Sequence, residues 1–456
     1  MNDYFGEAGL PKLLCCRQAL IIRRTKNMMT LILITILAVI AAGYLTKINI
    51  GFYAIAAAYL IGCFGMDLSA GDLIKLWPVK IFFVILSVSL FYNVALANGA
   101  LEKLAGHLLY QCRNFPNILP LAVFAAATLI AGLGAGFYTV LAFMAPLTLL
   151  LCQKTKMNLV IGSMAVNYGA LAGANFMTSQ SGVIFRGLLE TSGIAKETAF
   201  SYTSVIFITT LLVPIVILGG YSLWNRQTSA ISIQAEKPEA FTAKQKQSIY
   251  LIVLLMAIVL AFPVLHLIWP QNDWITRANA KLDIGFLAIV FTLISMVLKL
   301  ADEKKVIALV PWSTLLMICG MGMLIGIAVK AGIVEAFSGW VSGNVAFWLI
   351  PIVLCCIGAV MSVFSSTLGV VAPTLFPIIP TIAAYSGLNP ALLFVAVVVG
   401  AQATAISPFS SGGSLILGSA PEGIDKNTLL NQLLFRAIPI GVAAAVIAVI
   451  SAQIIM

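Results

Sequence analysis

Charged side chains make up only 9% of the 456 residues, and histidine occurs twice. Soluble domains carry roughly a quarter charged residues, so a water-exposed globule is excluded. His107 and His266 have no partners at catalytic or ligand spacing, and no His-Glu-x-x-His occurs, which removes the common zinc-hydrolase pattern. The eight cysteines form two adjacent pairs, Cys15-Cys16 and Cys355-Cys356, and four singletons, Cys63, Cys112, Cys152 and Cys319. With no Cys-x-x-Cys among them they read as small packing residues at lipid depth. No cofactor and no metal beyond a coupling ion is expected. An intramembrane enzyme would need acid, base, nucleophile or metal groups converging at depth, and no such motif occurs.

What the chain has in abundance is apolar surface, at 61% of residues. A membrane span needs about 20 apolar residues, and such runs recur along the whole length. They occupy about 29–46, 50–66, 79–97, 117–133, 137–152, 158–185 and 199–224, then 249–268, 283–299, 309–329, 345–362, 367–386, 390–417 and 433–455. The fold class is therefore an all-α polytopic membrane protein. A net charge of +10 would suggest nucleic acid in a soluble protein, but here Lys and Arg fall mostly between the runs, where anionic headgroups and topology account for them. The expected partner is the lipid bilayer, not nucleic acid. The organisation predicted is a basic tail (1–28), a first repeat (29–224), a polar linker (225–248) and a second repeat (249–456).

The two halves are related in sequence. Lys47-Ile48-Asn49-Ile50-Gly51-Phe52 recurs 234 residues later as Lys281-Leu282-Asp283-Ile284-Gly285-Phe286. At an offset of 233, Pro78 matches Pro311, Gly99 matches Gly332 and Glu102 matches Glu335; at 231, Pro146 matches Pro377, Gly169 matches Gly400, Ser179 matches Ser410 and Gly182 matches Gly413. An ordered series with a nearly constant offset reads as an internal duplication, a signature of secondary transporters.

Within each half, the fourth and fifth runs are separated by a short break: Gly134-Ala135-Gly136-Phe137-Tyr138-Thr139 in the first and Ser362-Val363-Phe364-Ser365-Ser366-Thr367 in the second. These read as tips of re-entrant hairpins, spanning 117–152 and 345–386. Irregular backbone at membrane depth is tolerated only where it lines a cavity or a site. Each half then has five crossings and one hairpin; five is odd, so the second repeat is inverted and the hairpins meet near the midplane. The following runs, 158–185 and 390–417, carry glycines and polar residues mid-span, and Pro408 and the Gly412-Gly413 pair argue for unwinding. Such broken helices free carbonyls for cations and aim helix N-termini at anions; close packing through small residues is the competing reading.

Lys and Arg counted over alternate loops total 14 on one side and 7 on the other. That places the first hairpin's mouth and the central linker in the cytoplasm, with both termini outside. Lys12, Arg17, Arg23, Arg24 and Lys26 argue instead for an inside tail.

The duplicated hairpin-plus-broken-helix plan, with Asn98-Gly99-Ala100-Leu101-Glu102-Lys103-Leu104 and the Ser365-Ser366-Thr367 tip, resembles the ion transporter superfamily, which includes the divalent-anion sodium symporters. Within it, the Thr46-Lys47-Ile48-Asn49-Ile50-Gly51 opening and the closing Ala403 to Gly413 segment look like the MatC-type dicarboxylate (malonate) carriers. The resemblance implies a homodimer in a cell membrane, the inner membrane in bacteria, with a scaffold holding a moving transport domain and elevator-like alternating access. Sodium-coupled relatives carry Ser-Asn-Thr at both tips. Here Ser365 stands where Asn is sought, and the first tip has only Gly134, Ala135 and Gly136 before Tyr138 and Thr139, which leaves Na+ or H+ as coupling ion.

Neither tip nor either broken segment contains Lys, Arg, Asp or Glu. A dicarboxylate can be held there by helix-end N–H groups and hydroxyls with a bound cation offsetting its charge, whereas a cationic substrate would demand an intramembrane carboxylate. The candidate substrate ligands are Tyr138, Thr139, Asn175, Thr178, Ser179, Ser365, Ser366, Thr367, Ser407, Ser410, Ser411 and Ser414. The candidate cation ligands are Gly134, Gly136, Gly173, Ser365, Thr367, Thr404 and Gly412. Arg186, just past the first broken segment, reads as an interfacial anchor or as a carboxylate partner. The function expected is cation-coupled symport of a small dicarboxylate, malonate or a C4 acid; a proton-coupled carrier of another anion such as citrate or tartrate is the alternative, ahead of a channel.

Overall fold

The computed structural model describes residues 28–43, 45–111, 118–155, 157–224, 239–269, 271–421 and 423–456. The basic tail up to residue 27, Cys15, Cys16 and Cys112, and residues 225–238 of the linker lie outside the described residues. Every regular element among the described residues is helical.

Helix α1 (Met28–Gly43) leads into α2 (Ile50–Gly65), which starts where the Asn49 side chain accepts the Gly51 N–H at 2.8 Å, the capping role of short polar side chains. After the short α3 (Ala70–Ile74), Pro78 precedes α4 (Val79–Ala97), and Gly99, at φ 74°, turns the chain into α5 (Ala100–Gln111). A left-handed backbone is open to glycine without a Cβ clash.

Helices α6 (Leu119–Ala135) and α7 (Phe137–Thr155) double back on each other. Gly134 and Gly136, at φ 98° and 74°, form the tip, while Leu119, Cys152 and Met157 share one apolar cluster at the far ends of the arms. Asn158 caps α8 (Leu159–Ala174). α6 runs alongside α8 so closely that a Cβ on Gly169 would sit 2.6 Å from the Phe124 carbonyl and one on Gly173 would sit 2.0 Å from that of Thr128. After a break at 175–179 come α9 (Gln180–Thr191) and α10 (Lys196–Trp224).

The second half opens with α11 (Ala243–Ile268), which begins inside the stretch read as linker because Thr242 and Gln245 form a reciprocal capping box. It continues through α12 (Asp273–Lys281), α13 (Ile284–Val297), α14 (Glu303–Ala308), α15 (Trp312–Lys330) and α16 (Ile333–Asn344). Then come the arms α17 (Ile350–Phe364) and α18 (Thr367–Ser386), the helix α19 (Pro390–Ala403), a break at 404–410, α20 (Ser411–Gly418) and α21 (Lys426–Ile455).

Equivalent positions take equivalent roles. Asp283 caps α13 as Asn49 caps α2, and Asn389 caps α19 as Asn158 caps α8. Pro311 precedes α15 with φ −77° and ψ 65°, against −76° and 70° for Pro78, and Gly332 matches Gly99 with φ 81°. A Cβ on Gly400 would sit 2.0 Å from the Cys355 carbonyl, which sets α17 on α19 in the register of α6 on α8. The halves also exchange contacts. α2 packs on α15, with Gly51 against the Leu316 backbone, and α13 packs on α4, with Gly285 against the Phe83 ring; Phe83 and Leu316 are themselves 233 apart. Reciprocal contacts of this kind belong to two-fold arrangements.

Seven described helices are long and apolar enough to cross a membrane: α4, α10, α11, α15, α18 and α21, with α17 extended by Phe347–Leu349. Five of these, α4, α10, α11, α15 and α21, are among the ten crossings expected from hydropathy, and α17 and α18 belong to the stretch read as the second hairpin. Of the other expected crossings, α1, α2, α8 and α19 are apolar but only 10–17 residues long and α13 has 14 residues, and a helix rises about 1.5 Å per residue. The largest apolar core surrounds α8, and a second surrounds α17 and α19. Both breaks therefore lie deep in the protein.

Candidate functional site

The second tip is built by hydroxyls that order one another. Ser365 donates to the Met361 carbonyl at 2.6 Å, Ser366 caps α18 by accepting the Gly369 N–H at 3.2 Å, and the Ser362 and Thr367 hydroxyls lie 3.4 Å apart. The first tip reaches it through Tyr138, whose hydroxyl is 3.3 Å from Ser366 Oγ. Between them is a pocket of about 20 Å³, room for one water-sized occupant. The hydroxyl-bearing Tyr138, Ser181, Ser362, Ser365, Ser366, Thr367 and Ser410 line it together with Gln402, Gly412 and the apolar Phe137, Leu171, Leu368 and Ala405.

Tyr138, Ser365, Ser366 and Ser410 also line a larger open cavity of about 550 Å³. Its outer wall is the loop before α2 and the start of α15, with Lys47, Asn49, Ser313 and Thr314, and its inner wall includes Pro408, Phe409 and Ser414. Asn49 is held by donating to the Ser313 carbonyl at 2.8 Å and to its hydroxyl at 2.9 Å. Neither cavity has Asp or Glu among its lining residues. Lys47, whose backbone is left-handed at φ 61°, is the cation in the wall. Ser410 ends the second break: it caps α20 by accepting the Gly413 N–H at 3.3 Å and donates to the Ala405 and Ser407 carbonyls at 2.7 and 2.8 Å. A helix N-terminus thus abuts the hydroxyl cluster, where its partial positive charge favours an anion.

Other candidates face elsewhere. Asn175 is fully buried and engaged, donating to Gln402 Oε1 at 2.9 Å and Thr210 Oγ1 at 3.0 Å and accepting from Gln402 Nε2 at 3.0 Å. Gly173 packs against α6, Ser179 donates to the Ala131 carbonyl at 2.6 Å, and Thr404 donates to that of Ala359 at 2.7 Å. Ser407 accepts the Phe409 N–H at 3.2 Å. Thr139 lines neither cavity, and Thr178 is buried with its hydroxyl unpartnered. Gly134 lies under the Tyr92 ring and Gly136 against Gln180, while the side chain of Ser411 lies outside the described residues.

Reasoning from sequence passed over Ser181, Ser362, Gln402, Asn49, Ser313, Thr314 and the cation of Lys47. For Lys47 and Asn49 the signal is present, since both belong to the repeated Lys-x-Asn/Asp opening, but that repeat by itself marks duplication and family resemblance and not a place in the cavity wall.

Residues 26–174, which hold α1 to α8, match the family model described as dicarboxylate carrier protein MatC N-terminus. Two solved structures share the fold. The Alcanivorax borkumensis YdaH transporter, reported with an unusual topology, is 16% identical with a TM-score of 0.53, over 84% of this chain and 86% of its own. Neisseria gonorrhoeae MtrF, placed in a class of antimetabolite efflux pumps, is 15% identical with a TM-score of 0.55, over 85% of this chain and 86% of its own. The curated proteins give no match. The chain is a polytopic membrane protein, and the two solved structures that share its fold are a transporter and a member of a class of efflux pumps.

Proposed function

We propose that the protein is a secondary carrier of small dicarboxylates, malonate or a C4 acid, coupled to a cation. The observation that carries this reading is the pairing of a one-occupant hydroxyl pocket with a larger open cavity that shares four of its residues and has no carboxylate in its wall. The small pocket suits a desolvated cation held by serine and threonine oxygens. The large one suits the substrate, whose carboxylates meet hydroxyls, the α20 N-terminus and Lys47. The two charges then offset one another at depth, where either alone is costly. The match of residues 26–174 to a dicarboxylate carrier model supports the substrate class.

In this reading the repeats run in opposite senses across a cell membrane. The hairpins with α8, α9, α19 and α20 move as a unit against α2, α4, α13 and α15, in a homodimer. The deciding experiment is uptake by reconstituted protein over a panel of malonate, succinate, malate, tartrate and citrate, with sodium and pH varied independently. Sodium-dependent uptake of a dicarboxylate is expected. Uptake that follows only the proton gradient would replace sodium by H+, and absence of any carboxylate flux would end the proposal.

A further inference from the structure

A second cavity, of about 250 Å³, lies between α4, α9 and the start of α13. It is the repeat-related counterpart of the open cavity. Asp283 stands in its wall where Asn49 stands in the other, Lys80 where Ser313 stands, and Val183 where Ser414 stands, at the offsets of 234, 233 and 231 found in the sequence. The chemistry differs. The open cavity offers hydroxyls and one lysine, and this one gathers Lys80, Arg186 and Lys196 around Glu190 and Asp283.

Three cations against two carboxylates leave one positive charge in excess. Both carboxylates already have partners. Glu190 is paired with Lys80 and takes Arg186 Nε at 3.6 Å, while Asp283 accepts the Gly285 and Phe286 N–H groups at 2.9 and 3.2 Å. Lys196 donates to the carbonyls of Asn279 and Leu282 at 3.0 and 3.1 Å, and no carboxylate lies within 4 Å of it among the described residues. The Arg186 side chain is only 11% exposed, and its one ion pair among the described residues is the Nε contact with Glu190. A guanidinium carries five N–H donors in a fork that matches a carboxylate, so one that is largely covered, with Nε engaged by Glu190 and the side chain in the cavity wall, is set for a second anion.

We propose that this cavity binds a carboxylate group of a small organic anion, with the Arg186 fork donating to its oxygens and Lys196 supplying the second cation. It is the staging site on the face opposite the open cavity. The inference rests on the carrier reading above, and the two can fail separately.

The test compares transport by whole cells and by inside-out vesicles carrying the full chain, using labelled malonate and succinate. Arg186→Gln raises the half-saturating concentration by about tenfold in one preparation and leaves the other unchanged, as loss of a charge-assisted hydrogen bond at one mouth requires; Arg186→Lys restores part of it. Lys196→Gln, at a less buried position, produces a smaller shift in the same preparation and covers the case in which the arginine variant does not fold. An unchanged half-saturation in both preparations, or a fall in maximal rate alone in both, overturns the proposal. If the wild type moves no carboxylate in either, the carrier reading has failed, and equilibrium binding of labelled malonate to purified wild type and Arg186→Gln decides the site alone: weaker binding in the variant supports it, and equal or no binding overturns it.

Discussion

The side-chain amides of Asn175 and Gln402 close on each other through two hydrogen bonds, of 2.9 and 3.0 Å, deep between the two broken helices. Each residue ends one half of a break, Asn175 as the C-cap of α8 and Gln402 two residues before the C-cap of α19. The pair ties the breaks of the two repeats together, and both polar atoms of the Asn175 amide are engaged within the protein.

Truncating either amide strands the other in an apolar interior. Asn175→Ala and Gln402→Ala are each expected to destabilise the protein by about 1–3 kcal/mol, the cost of an unsatisfied buried polar group. The double variant should lose less than the sum. Thermal unfolding of the four proteins in detergent completes the cycle, and strict additivity would refute the coupling.

Tyr138 lines both cavities and joins the first tip to Ser366 of the second. Tyr138→Phe keeps the ring and removes the hydroxyl, so the stability lost should not exceed about 0.5–1.5 kcal/mol, the net worth of one hydrogen bond. Carboxylate uptake should fall several-fold more than in Cys356→Ser, which changes an exposed thiol. Concentration-dependent uptake with both variants is the check.

Lys47 should act through charge. Lys47→Gln is expected to raise the half-saturating dicarboxylate concentration, and added salt should reduce the wild type's advantage over the variant, because charges near solvent are screened over about 8–10 Å at ordinary ionic strength. A salt-independent difference would assign Lys47 to packing.

Gly400 and Gly219 form a contrasting pair. A Cβ at Gly400 would sit 2.0 Å from the Cys355 carbonyl, and nothing lies within 4 Å of one at Gly219. Gly400→Ala should push α17 away from α19 and cost at least about 1–3 kcal/mol, as overpacking does. Gly219→Ala, inside α10, should stabilise by up to about 1 kcal/mol through helix propensity. Yield of monodisperse protein and its melting temperature report both.

Much of the architecture could be read from residue order alone, since small and polar residues interrupting an apolar run are unfavourable unless buried in protein. The constant offset also located counterparts such as Asn49 and Asp283 without any coordinates. Residue order gave less about which face of a helix a residue occupies. Gly173 and Gly412 look alike in sequence, yet one lies against a neighbouring helix and the other lines the pocket. The Lys80, Arg186, Glu190 and Asp283 cluster was hidden for a related reason: its members come from α4, α9 and the start of α13, and only the packing of α13 on α4 brings them together.

The Tyr92 ring fills the space that any side chain at Gly134 would need, and its hydroxyl is bonded to the Thr178 carbonyl at 3.0 Å. At the second tip Ser365 and Ser366 instead line the large cavity, together with Tyr138, Phe364 and Phe409. The two tips are consequently seated unequally: a phenol borrowed from α4 backs the first, whereas hydroxyls bordering the open cavity edge the second.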